Sequence, residues 1–148
     1  MIVSPYFYNH LEQVEGYRAK AYHDTAGHMT IGIGHLIKDD EPELKTICLS
    51  HEAAIELAKG DVALAEAAVN TYVKVPLRQE QFDALVSFVY NIGVGAFAKS
   101  TLLRKLNHGH CCAVPDEMRK WTKQRELRSR RSAEIALYVG ECTDATTG

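Results

Sequence analysis

Apolar residues return every three or four positions through most of this chain, which is the spacing of an α-helix with one buried face. Phe7, Leu11 and Val14 share such a face behind Ser4-Pro5, read as an N-cap followed by proline at the first helical position, so a first helix is predicted over residues 4–15. From Tyr17 to Leu36 the spacing stops. Gly27, Gly32 and Gly34 punctuate short β-prone pieces and "DTAG" reads as a turn, so a small antiparallel sheet is expected there. Residues 38–49 are polar and irregular. Ser50 then caps a long helix in which Ile55, Ala58, Val62, Ala65, Val69 and Tyr72 repeat with gaps of three and four, with Gly60 inside the pattern. After Pro76 a helix carries the stripe Phe82, Leu85, Val86 and Val89 and is broken by Gly93 and Gly95. Further helices are expected over 100–107, from Pro115 through Trp121, and over 129–139, followed by a polar tail, "ECTDATTG", that should fray.

The fold class is therefore α+β. A small antiparallel sheet lies near the N-terminus, and a helical bundle forms the larger part. The expected lobes are 15–49, and 50–148 together with the N-terminal helix, within a single domain. A cleft between two such lobes is a natural binding site. A chain of 148 residues suits one domain. At that size about 70% of the unfolded surface is buried, so no metal or disulfide staple is needed.

Charge changes this picture in one place only. The net charge of −2 implies no strong electrostatic partner for the chain as a whole. Between Arg119 and Arg131, however, seven Lys or Arg face a single Glu. That is either the solvated face of a helix pair or a surface for an anionic polymer, and no nucleic-acid reader motif accompanies it. The start of the chain has neither the basic opening nor the apolar core of a secretory signal, so the protein is expected to accumulate in the cytoplasm, without stable membrane insertion. Cys48, Cys111, Cys112 and Cys142 are then expected as free thiols. "HGHCC" at 108–112 hints at a metal, but its spacing matches no common zinc pattern, and Gly109 beside it reads as a helix end. No cofactor is expected.

The candidate chemistry sits in "EGYRAKAYHDTAGHMTIGIGH". Glu15 falls at a helix C-terminus, where the helix dipole disfavours negative charge, and that suits a proton donor. Eight residues on is Asp24, in a turn, and five further on is Thr30. Glycoside hydrolysis needs two carboxyl groups in different environments, one protonated to serve the leaving oxygen and one ionised to steer water or to balance charge on the sugar. A carboxylate pair alone says little. Glu15 is also readable as an ion-paired helix end, Asp24 as a turn opener and Thr30 as a strand former. His35 reads as a structural hydrogen-bonding residue rather than a catalyst, and Trp121 as core.

The whole pattern is more specific. Glu-(8)-Asp-(5)-Thr followed by "IGIGH" resembles the phage-type lysozymes, glycoside hydrolase family 24. "YHDTAGHMTIGIGHL" is similar to that family's sheet segment, "QFDALVSFVYNIGVGAFAKSTLLRKLNHG" to its central helical hairpin, and "RSRRSAEIALY" to its closing Arg-Arg-x-x-Glu helix. The resemblance implies a two-lobed, lysozyme-like fold. It implies Glu15 as general acid, Asp24 as the residue that activates or positions water, and Thr30 as support for that water. It implies sugar contacts at Leu36, Tyr90 and Ser100, with Arg130 at a basic position close to the catalytic Glu. One departure is visible: only "TKQRELRS" stands between Trp121 and the Arg-Arg pair, where the family carries a longer, glycine-rich loop.

The expected activity is hydrolysis of the β-1,4 bond between N-acetylmuramic acid and N-acetylglucosamine, for lysis of a bacterial host. The expected partners are peptidoglycan glycan strands, not nucleic acid. The expected form is a monomer held in the host cytoplasm and released to the cell wall or periplasm at lysis through a pore made by a separate protein, a holin. Two other readings compete: a lytic transglycosylase, which needs the Glu but no Asp, and a peptidoglycan-binding homologue without catalysis.

Overall fold

A computed structural model describes residues 1–123 and 125–139. The polar tail and Cys142 lie outside the described residues. The observed class is α+β: seven α-helices and one three-stranded antiparallel sheet among the described residues. By contact, the chain divides into two compact units, one of Tyr6–Ala63 and one of Met1–Pro5 with the chain from Leu64 on. No helix of the described residues is long and apolar enough to cross a membrane.

The first unit opens with α1, Phe7–Glu15. It begins later than its cap signal predicts, because Ser4 is not its N-cap: the Ser4 hydroxyl and backbone N–H instead donate to the Asp83 carboxylate in the other unit, where Met1–Pro5 belong, at 2.5 and 3.0 Å. Gly16 ends α1 with a φ of 76°, a conformation that costs glycine little. The sheet follows with β1 at Arg18–His23, β2 at Met29–Gly32 and β3 at His35–Leu36, in the order β1-β2-β3. Tyr22 pairs with Thr30, Thr30 with Leu36, and Ile31 with His35. Directly paired residues share a face, so Tyr22, Thr30 and Leu36 form one row across all three strands. Ile31 and His35 occupy the opposite face and are buried. The irregular stretch after β3 contains a short 3-10 turn, Pro42–Lys45. Phe7, Leu11, Ile31, Ile33, Ala54, Ala58 and Val62 are buried apolar residues of this unit.

The long helix α2, His51–Tyr72, crosses the division between the units. Ser50 caps it, its hydroxyl accepting from the Ala53 N–H at 3.1 Å. Its buried stripe is rotated slightly from the expected one, with Ala54 and Ala68 buried and Tyr72 exposed.

The second unit is built on α3, Gln79–Ile92, buried without a break from Gln81 to Val89. Gly93, at φ 93°, ends it; Gly95 does not break a helix but lies inside the next, α4, Val94–Ala98. Then come α5 (Thr101–Asn107), α6 (Val114–Arg119) and α7 (Arg125–Val139). The closing helix starts four residues earlier than the apolar pattern predicts. The short link after Trp121 is thus largely absorbed into helix. The last two arginines of the basic run do not face solvent: Arg130 and Arg131 are 5% and 1% exposed. Arg130 donates to Glu134 at 3.1 Å and to the Ser87 carbonyl at 2.8 Å. Arg131 donates to Glu134, to the Asn91 side chain and to the Trp121 carbonyl, and its guanidinium lies over the Phe88 ring. Ser87 completes the set on Glu134 at 2.7 Å. The spacing Arg130-Arg131-x-x-Glu134 puts both arginines within one helical turn of the carboxylate. This buried ion cluster is what binds α7 to α3.

Candidate active site

Glu15, Asp24, Thr30 and Leu36 all belong to the first unit; Tyr90, Ser100 and Arg130 belong to the second. Glu15 is the last residue of α1, half-buried, and its side chain lies over the turn between β2 and β3. A Cβ added at Gly34 would come within 2.7 Å of the Glu15 carboxyl carbon. Gly34 also has a φ of 73°. Both facts explain the second glycine of "GIGH": only a residue with no side chain lets the backbone pass beneath this carboxylate.

Asp24 follows β1 and is fixed by the backbone of its own turn. One carboxylate oxygen accepts from the N–H groups of Ala26 and His28 at 2.9 and 2.8 Å. The Asp24 N–H in turn donates to the His28 carbonyl at 2.9 Å. The second carboxylate oxygen lies 3.6 Å from a His28 ring nitrogen. The Asp24 side chain keeps 31% of its surface exposed. Thr30 is only 2% exposed, and its hydroxyl donates to the same His28 carbonyl at 3.0 Å. The His28 peptide thus ties Asp24 and Thr30 together. With its proton committed there, the Thr30 oxygen has only lone pairs left to offer.

Leu36 ends the sheet on β3 and is 51% exposed. Tyr90 is partly exposed near the end of α3. Ser100 is 8% exposed and its hydroxyl serves the local backbone. It caps α5 by accepting from the Leu103 N–H at 3.1 Å while donating to the Phe97 carbonyl at 2.7 Å. Arg130 sits in the Glu134 cluster described above.

His35 carries no catalytic geometry, but the structure assigns it more than a generic hydrogen bond. Its two ring nitrogens lie 2.6 Å from Asp61 on α2 and 2.9 Å from Glu41. Burial opposes charging the ring, but the hydrogen bonds to Asp61 and Glu41 outweigh it and hold the histidine above its ordinary pKa. Burial likewise works to raise Glu41; the bonds to His35 and the Lys38 N–H win and hold it below the usual glutamate range. This clamp fixes β3 one residue beyond Gly34. The raised histidine stabilises the fold fully below the unfolded value of about 6.5, and that stabilisation is lost as pH rises through the folded value. The lowered glutamate stabilises it above about 4.3 and loses effect as pH falls. Their joint contribution is therefore largest between about pH 4.3 and 6.5. Urea unfolding at about pH 5.5 and about pH 8.5 should show wild type losing more stability toward alkaline pH than His35→Asn does. Equal losses would remove the clamp from the stability of the fold.

Sequence reading missed Asp61, Glu41 and Tyr22. Asp61 and Glu41 are distant from the motif or in an irregular stretch, and nothing local marks them. Tyr22 was legible in principle: two residues before Asp24 on a strand, it points to the same side. Its phenol is held above the ordinary tyrosine range by burial, then by the negative charge of Glu15, with Asp24 adding to it against Arg18. Tyr22 therefore senses both candidate carboxylates. Among the described residues Cys48, Cys111 and Cys112 are exposed and form no disulfide, and no group of three or more His, Cys, Asp or Glu side chains is arranged to hold a metal.

Known proteins similar to this chain are phage lysozymes and endolysins. The phage lysozyme family model matches residues 12–134. The chain is 41% identical over 134 residues to the endolysin of Salmonella phage P22, covering 87% of this chain and 92% of that one. It is 37% identical over 122 residues to the SAR-endolysin of Escherichia phage Mu, covering 79% and 69%. Among solved structures, the endolysin from Escherichia coli O157:H7 phage FAHEc1 superposes with a TM-score of 0.85 at 33% identity, covering 95% of each chain.

Proposed function

This chain belongs to the phage lysozyme family, and on that premise we propose that it cleaves the β-1,4 bond between N-acetylmuramic acid and N-acetylglucosamine in peptidoglycan, with Glu15 as general acid and Asp24 and Thr30 holding the attacking water. The observation that carries this reading is the pair of unlike carboxylate settings within one compact unit. Glu15 is half-buried at a helix C-terminus, its carboxyl packed over Gly34. Asp24 has one oxygen saturated by two backbone N–H donors, which suits a carboxylate that stays an acceptor. Its other oxygen and the lone pairs of Thr30 can both accept from a water, orienting it for attack.

Leu36, exposed at the end of the sheet, suits a sugar contact. Tyr90 and the Ser100 turn are the corresponding candidates in the second unit. Arg130, held in the Glu134 cluster of the second unit, is the supporting basic residue of this reading. The monomer is the working unit in this proposal. Peptidoglycan lies outside the cytoplasmic membrane, so a chain held in the host cytoplasm needs a passage to the wall or periplasm. In this reading a separate pore protein, a holin, supplies it.

Product analysis tests the chemistry. Mass spectrometry of digested glycan strands should find reducing ends, as hydrolysis requires, while anhydro ends would mean a lytic transglycosylase, and no cleavage a binding homologue. A water held between Asp24 and Thr30 attacks the face opposite the leaving group. Nuclear magnetic resonance should therefore find the first-formed anomer inverted relative to the β-linked substrate. A first product that keeps the β configuration removes the water-holding role from Asp24 and makes it a nucleophile or charge stabiliser.

A further inference from the structure

The half-buried Tyr17 and the buried Tyr138 hand their hydroxyl proton to a backbone carbonyl: Tyr17 to Leu49 at 2.6 Å and Tyr138 to Cys111 at 3.1 Å. Tyr22 has no such acceptor among the described residues, although it too is half-buried. Its ring is nonetheless fixed. The Arg18 guanidinium carbon lies 4.2 Å from the ring centroid, a cation–π contact, and Thr30 pairs with it across the sheet. A tyrosine whose body is held and whose hydroxyl is unpaired is arranged to give its proton to something outside the chain.

We propose that Tyr22 is a substrate-binding residue of this site, whose phenol donates a hydrogen bond to a neutral oxygen of the glycan bound beside Glu15 and Asp24. The proposal rests on the functional reading above. Three observations select a neutral oxygen. The row Tyr22–Thr30–Leu36 places the phenol on the same face of the sheet as the proposed water support and the exposed sugar contact. Burial of the ring, ahead of the neighbouring carboxyl groups, holds the phenol above the ordinary tyrosine range, so it is a donor throughout the working pH range. The Asp24 carboxylate disfavours an anionic group of the substrate in this neighbourhood, which leaves hydroxyl and acetamido carbonyl oxygens as partners. Arg18, which would otherwise attract such an anion, has its guanidinium over the ring.

The test separates binding from cleavage. Glycan oligomers of alternating N-acetylglucosamine and N-acetylmuramic acid are titrated into Glu15→Gln, which cannot protonate the leaving group, and into Glu15→Gln/Tyr22→Phe. Loss of the phenol proton donor is expected to weaken binding by about three- to tenfold with the thermal midpoint unchanged. In the otherwise wild-type enzyme Tyr22→Phe should lower kcat/KM by the same factor, mainly through KM. Equal affinity of the two Glu15→Gln proteins overturns the proposal, as does a fall in thermal midpoint with affinity unchanged, which would make Tyr22 structural. A labelled-tyrosine measurement reads the contact without any substitution at residue 22: the ring carbon bearing the hydroxyl should shift when glycan is added to Glu15→Gln, and a static signal at saturation also overturns it. Failure of the underlying reading looks different, because Glu15→Gln would then retain the wild-type lytic rate whatever residue 22 does.

Discussion

Glu15→Gln is expected to fold as the wild type does and to lose about 10²–10⁴-fold in lytic rate, the contribution typical of a positioned general acid. Glutamine matches glutamate in shape, so it can occupy the space above Gly34 without a new clash. An amide, however, has no acidic proton for the leaving oxygen. Turbidity clearing of bacteria with permeabilised outer membranes measures the rate, and circular dichroism checks the fold. A folded Glu15→Gln protein that clears cells at near the wild-type rate would end the assignment of Glu15 as acid.

The second large effect is on stability and lies in the other unit. Glu134→Ala should cost about 3–5 kcal/mol, because it leaves two guanidinium groups buried with no counter-charge. Glu134 is fully buried, and Arg130, Arg131 and Ser87 all donate to it. A loss of that size is a large share of the roughly 5–15 kcal/mol that holds a domain folded. Urea unfolding of wild type and variant at neutral pH gives the difference directly. A loss below about 1 kcal/mol would mean that water reaches the arginines and that the cluster is not what joins α7 to α3.

These two carboxylates show how unevenly the sequence disclosed the molecule. The helices and the small sheet were legible because apolar spacing and glycine placement are local signals. Gly93 ends α3 and Ser50 caps α2 as expected. Boundaries failed where a local signal had a distant competitor. Ser4 reads as a helix cap, yet Asp83, seventy-nine residues away, takes both its hydroxyl and its N–H. Gly95 reads as a breaker, yet one glycine at Gly93 already turns the chain and the second is free to sit in α4. Among the site residues, Glu15, Asp24 and Thr30 stood out by spacing, while the reason for Gly34 did not: it depends on which side chain crosses above it. The Arg-Arg run looked like solvated charge because its counter-ion, Glu134, lies on the next helical turn among residues that read as apolar. Ser100 stood out only by resemblance, and its role in capping α5 depends on the turn that precedes the helix.

The unbroken burial of α3 has a consequence for motion on slow timescales. From Gln81 to Val89 no residue of this helix faces solvent. Its polar members are held as well: Gln81 accepts from the Arg78 N–H at 2.9 Å, Asp83 from Ser4 and Gln79, and Ser87 donates to Glu134. A helix with one wet face can fray or open on that side and exchange its amide hydrogens without disturbing the rest. This one has no such side, so its backbone hydrogens reach solvent only when the whole second unit comes apart. The amides of this buried run accordingly report the global unfolding free energy of that unit, so the slow exchange clock lies in α3 rather than at the proposed site.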